Sequence, residues 1–230
     1  MDWSPLWISL STAIPATLIT FFLGVFSAYG LLSAEKRIKK LLDTLFTLPL
    51  VLPPTVIGFL LLILFGKNGI IGSRLWEMGI HIVFTRSAAI LAAVVVSFPL
   101  MYRSAKAAFE QLDPKLIDAA RILGLSEITI FWRVSIPNAL PGIGSGTILA
   151  FARALGEFGA TLMIAGNIPG KTQTMPLAIY MAIQEGSQRE AIMWVILLVA
   201  FSFIMIFIMG HFSSDRRNER SRQNELEGGD

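Results

Sequence analysis

The chain has 230 residues, 54% of them hydrophobic, and a formal charge of only +3 from 19 Lys and Arg against 16 Asp and Glu. With no cysteine, disulfides, thiolate metal sites and cysteine nucleophiles are excluded. Only two histidines, His81 and His211, are present, and neither lies near a partner for acid–base or metal chemistry.

Trp3 to Ala34 holds no charged residue over 32 positions. A membrane-spanning helix needs about 20 mostly apolar residues, which predicts a first span over 7–32. No basic stretch precedes it and the apolar run is too long for a cleaved signal, so a retained helix is expected. The loop 35–43 then carries Lys36, Arg37, Lys39 and Lys40. A second uncharged run, Thr44 to Gly66, predicts a span over 45–65. Pro49, Pro53 and Pro54 remove backbone donors there and predict a bend or break. Bent helices serve as gates, but membrane helices also tolerate proline for packing reasons alone. Ser87–Tyr102, extended by Phe84 and Thr85 across Arg86, predicts a third span over 85–102.

Between residues 103 and 133 the apolar pattern stops for a polar island. Asp113 is a good helix N-cap and Pro114 suits the first helical position. Leu116, Ala119, Ala120 and Leu123 recur at three- and four-residue spacing and form one apolar stripe. Lys115, Asp118 and Arg121 fall on another face. Gly124 is placed to end the helix in the left-handed conformation, and Ser126 to cap the next. The pattern gives a helix of about ten residues, roughly 15 Å long, which is marginal alone in water. Its stripe needs cover from the membrane domain, from lipid, or from a partner's groove.

A fourth span is predicted over 134–165, with Pro137 and Pro141 in its first turns. Gly142, Gly146, Ala150 and Ala154 follow at four-residue spacing, which lets helices approach closely in lipid. Packing within the chain, a subunit interface and a pore lining all fit that stripe. Arg153 and Glu157 lie one turn apart in the same span. A charge at mid-bilayer costs about 2.5–3.5 kcal/mol on insertion scales. The pair is therefore either an internal ion pair or a candidate pathway or gate element. From Gly166 to Glu190, glycines and prolines predict a loop and short helices. Within it "AGNIPGKT" resembles a phosphate loop but begins with Ala165 and lacks the strand–loop–helix setting that nucleotide binding needs. A connecting loop is expected instead. The last span is predicted over 191–212, and the polar tail 213–230 is expected to be disordered.

Five spans put loops 35–43 and 103–133 and the tail on one side, with 13 of the 19 basic residues. The positive-inside rule then predicts an external N-terminus and a cytoplasmic C-terminus. The expected architecture is an all-α integral membrane protein, with a transmembrane domain over 1–212. Neither a catalytic residue nor a cofactor nor a metal site is predicted, and nothing points to nucleic acid.

The island resembles the cytoplasmic EAA motif of ABC importer permeases, E-A-A-x3-G-x9-I-x-L-P. Its positions here are Asp118, Ala119, Ala120, Gly124, Val134, Ile136 and Pro137. Asp118, Val134 and Ile136 depart from the pattern in identity while keeping charge or apolar character. "LPLVLPPTVIGF" and "FARALGEFGATLMIAGNIPGKTQTMPLAIY" are similar to the molybdate permease branch. The resemblance implies the type I ABC importer permease fold in a bacterial inner (plasma) membrane. It also implies that the short helix couples to an ATP-binding subunit, where Asp118 would meet a basic or hydrogen-bonding group. The implied partners are two ATPase subunits, a second permease copy, an extracytoplasmic binding protein and the lipid bilayer. ATP hydrolysis is then expected in the separate subunit, and the cargo is an oxyanion, molybdate or tungstate. A permease for sulfate, thiosulfate or another small solute is the alternative. An ion-coupled secondary transporter would favour several midmembrane carboxylates, whereas Glu157 is the clear one here. An intramembrane enzyme lacks the necessary groups.

Overall fold

The structure, a computed structural model, describes residues 2–227, with side chains to residue 208. Among the described residues all regular structure is helical. The first helix, α1 (Ser4–Gly30), opens with Pro5 in its first turn and buries small or hydroxyl residues: Ser9, Thr12, Ala13, Ala16, Thr20 and Gly24. A Cβ placed on Gly24 would lie 2.7 Å from Met101 Cγ, so glycine is what lets the two helices close up here. The opposite face of α1 exposes Ile14, Leu18, Phe22 and Phe26. In water that would be an aggregation surface; against lipid tails it is the stable arrangement.

The partner of α1 is α5 (Arg86–Glu110), the axis of the bundle, which also packs against the helices at 36–51, 54–65, 136–155 and 159–165. Thr20 and Ser97, both fully buried, join α1 to α5 by a hydroxyl hydrogen bond of 3.2 Å. Its Thr85 cap accepts from the Ala88 N–H. The helix runs eight residues past the predicted span, so Arg103, Lys106 and Glu110 extend it into the polar side. Alternating i, i+4 charges support such an extension, as in the Lys106–Glu110 pair at 4.0 Å.

The second predicted span is not one rod. It is α2 (Lys36–Val51) followed by α3 (Pro54–Phe65), bent by 113° at Leu52–Pro53. Leu52 is extended, as a residue before proline prefers, and Pro53 has no N–H with which to continue the ladder. Pro49 is accommodated inside α2. A short α4 (Gly72–Glu77) caps the loop that follows.

The island forms α6 (Pro114–Ile122) and α7 (Glu127–Ile130). A π-helical turn over Phe131–Ser135 joins α7 to α8 (Ile136–Leu155). The fourth span therefore begins at Glu127 rather than at 134, and Pro137 and Pro141 lie inside a longer rod rather than in its first turns. The physical reason is the π turn. Pro137 has no N–H to offer four residues back, and a widened turn just before it absorbs that loss. The rod bends by 57° at Gly156 into α9 (Gly159–Ala165). A loop, α10 (Met175–Gln184) and α11 (Gln188–Glu227) complete the chain. The backbone of α11 continues as far as Glu227 into the segment 213–230 for which the sequence predicts disorder; residues 228–230, and the side chains from 209 onward, lie outside the described residues.

Counting each bent pair as one span, up to five segments are long and apolar enough to cross a membrane. Their ends sort into two groups. At one end Tyr29 meets Phe109 (ring centroids 5.4 Å) and Lys39 meets Glu110 (3.2 Å). At the other, Trp3 meets Trp194 (6.0 Å), and the Met175 N–H donates to Ser9 Oγ at 2.8 Å. All of the island sits at the first end.

Candidate coupling site and intramembrane ion pair

Local chemistry explains why α6 forms at all. Asp113 accepts from the Lys115 N–H, Pro114 fills the first turn, and Gly124 takes φ +77° after the last turn. Nothing lies within 4 Å of a Cβ placed on Gly124, so conformation rather than space demands glycine there. Ser126 Oγ then accepts from the Thr129 N–H and starts α7.

The predicted apolar stripe is only partly inward. Ala120 is buried and Leu116 is half-exposed, while Leu123 is 78% exposed and its neighbour Ile122 is 86% exposed. Ile128, on α7, is 73% exposed. These three exposed apolar side chains, the knob, flank the α6–α7 turn at the polar end of the molecule. Asp118 and Ala119 are exposed on the flank. The Asp118 carboxylate faces Arg121 Nη1 of its own helix at 3.5 Å. Of the other motif positions, Val134 lies in the π turn and Ile136 packs on the core cluster around Tyr29, Phe109 and Phe131. Pro137 follows it on the outer face of the rod. The structure thus gathers Asp118, Ala119, Ala120 and Gly124 at α6 and sets Val134, Ile136 and Pro137 further along the rod.

Inside the membrane, Arg153 Nη1 contacts Glu157 Oε2 at 2.7 Å across one helical turn. Glu157 is 2% exposed, and its Oε1 accepts from the Ala160 N–H at 2.7 Å. Its charge is met on one side by guanidinium and on the other by the first turn of α9. Gly156 follows the last turn of α8, and Glu157 lies in the break two residues before α9 begins, so the pair sits at the 57° bend. Nearby, a Cβ on Gly142 would lie 2.6 Å from Ala108 Cβ, and one on Gly146 2.5 Å from Ser104 Cβ. The small-residue stripe is therefore used for packing α8 on α5 within the chain.

A third polar group was invisible in the sequence. Asp43 on α2 accepts from Tyr102 Oη and lies 2.5 Å from Lys106 Nζ, both on α5. Lys39 and Glu110 continue the ladder at 3.2 Å. These partners are about sixty residues or more apart, so no local spacing reveals them. Removing Asp43 leaves the partly buried Lys106 without its closest anion. Asp43→Ala is expected to cost about 1.5–3 kcal/mol, the range for hydrogen bonds to charged groups. Thermal unfolding in detergent measures it, and in a double-mutant cycle with Lys106→Met the two losses should not add.

The family of binding-protein-dependent transport system inner membrane components matches residues 20–218 of the sequence. The chain belongs to that family. It is 44% identical over 209 residues to the molybdenum transport system permease protein ModB of Escherichia coli (strain K12), spanning 90% of this chain and 91% of that protein. To ModB of Haemophilus influenzae it is 37% identical over 227 residues, spanning 98% and 99%. Among solved structures it is similar to the inward-facing MetNI methionine ABC transporter, with a TM-score of 0.68 at 18% identity. That match covers 90% of this chain and 92% of that one, and it speaks to fold. The permease has the type I ABC importer permease fold and is a membrane subunit of an importer.

In this permease the EAA-type positions mark where the island turns, but the knob of Ile122, Leu123 and Ile128 lies between them. The sequence puts Leu123 on an apolar stripe that needs cover from the membrane domain, from lipid or from a partner, and in the structure the chain's own bundle leaves it 78% exposed.

Proposed function

We propose that this permease carries molybdate into the cytoplasm, powered by a separate ATPase seated on α6. The observation that carries this reading is the apolar knob on a capped helix at the basic end of the molecule. Leucine and isoleucine this exposed on a water-facing helix are stable when a partner covers them. Charge supports the orientation: the α6 end also carries Lys36, Arg37, Lys39 and Lys40, so it lies in the cytoplasm and the N-terminus outside. Two permease copies, two ATPase subunits and an external oxyanion-binding protein make up the complete transporter. Arg153 is already neutralised by Glu157, so the pair braces the bend of the fourth span rather than binding the ion.

For the cargo, similarity to ModB proteins supports molybdate. Membrane vesicles containing the complete complex should take up labelled molybdate and tungstate in an ATP-dependent manner. Excess sulfate should leave that uptake intact. Equal uptake of sulfate would replace this assignment with a sulfate permease.

A further inference from the structure

α6 does not rest flat on the bundle. A cavity of about 370 Å³ separates it from the ends of α1 and α5, lined by Tyr29, Leu32, Phe109, Ile117, Asp118 and Arg121 among others. Only Ala120 of α6 is buried. A push on α6 therefore leaves the helix through its ends, since the cavity gives little packed surface to receive it. One end runs through Gln111–Asp113 into α5; the other runs through Leu123–Ser126 into the rod α7–α8. The second connection contains Gly124 at φ +77°, with open space around its Cβ position, and such a turn would absorb motion.

Arg121 spans that turn. Its Nε lies 2.8 Å from Glu127 Oε1 and its Nη2 3.3 Å from Oε2, a two-pronged contact with the first residue of α7. Its third nitrogen faces Asp118 at 3.5 Å, which holds the guanidinium from behind. Guanidinium and carboxylate are both planar, so the fork fixes direction as well as distance. We infer that Arg121 is a positioning residue, a strut that fixes the angle between α6 and the transmembrane rod. With it, displacement of α6 turns the rod instead of bending the glycine turn. The inference rests on the reading of α6 as the ATPase seat. Arg121 and Glu127 are both well exposed, so the pair adds little to stability and its loss leaves a folded chain.

The test uses the complete transporter in proteoliposomes, measuring ATP hydrolysed per molybdate delivered. Arg121→Gln and Glu127→Gln should each raise that ratio about tenfold, within the range of coupling changes along such networks. The double variant should be no worse than either single one. Arg121→Lys, which keeps the charge but not the fork, should behave like Arg121→Gln. In all four, the ATPase should still co-purify and the melting temperature should stay put. An unchanged ratio, or additive defects in the double variant, would overturn the strut. Loss of co-purification in Arg121→Gln would also overturn it, because Arg121 would then touch the ATPase directly. Failure of the underlying seat shows separately: Leu123→Asp would leave ATPase association intact.

Discussion

Leu123→Asp is expected to abolish ATP-driven uptake while leaving the permease folded and inserted at normal levels. Leu123 is mostly exposed, so the isolated chain loses almost no packing when it is replaced. The loss falls on the interface. A central apolar anchor is worth about 2–4 kcal/mol in such a contact, and a buried unpaired carboxylate adds its own desolvation cost. Association with the ATPase should therefore weaken by about 30-fold to 1,000-fold, read as loss of co-purification. Gly124→Val reaches the same place by another route. At φ +77° a side chain strains the backbone by about 1–2 kcal/mol, and a β-branched one by more. The turn then relaxes toward negative φ and swings Ile122 and Leu123 away from their aim. Normal co-purification and uptake in both variants would show that α6 seats nothing.

Arg153→Ala is expected to be the most destabilising single change inside the membrane. It leaves the Glu157 carboxylate enclosed with only the Ala160 N–H facing it. Breaking a buried pair on one side costs about 3–5 kcal/mol, enough to lower the amount of permease in the membrane. The double variant Arg153→Met/Glu157→Gln should recover most of the loss. Gln keeps an oxygen that accepts from Ala160, and no charge remains to be paired. The unfolding midpoint in detergent and the amount inserted measure both effects. If the pair instead served as an oxyanion site, Arg153→Ala would stay stable and lose uptake alone.

Much of this architecture is written locally. Charge-free runs mark the spans, and Asp113, Pro114, Gly124 and Ser126 specify α6 within a residue because caps and left-handed turns depend on their own side chains. The i, i+4 spacing of Arg153 and Glu157 likewise announces their contact. What escapes the sequence depends on where helices go afterwards. The bend at Leu52–Pro53 is foreseeable from the prolines, but its 113° is not, since packing against α5 and α9 sets the direction. The π turn at Phe131–Ser135 hides behind an apparently ordinary helix start. The Asp43–Tyr102–Lys106 cluster joins residues far apart in the chain, and only the folded bundle brings them together.

The seat on α6 can be tested directly because the chain contains no cysteine. Leu123→Cys introduces a unique thiol at the tip of the knob, which a short photoactivatable maleimide can label. In the assembled transporter, illumination should join the permease to its ATPase subunit, and a label at Leu18→Cys on the exposed face of α1 should not. Labelling of lipid or permease alone from position 123, with the complex intact, would contradict the seat and the function built on it.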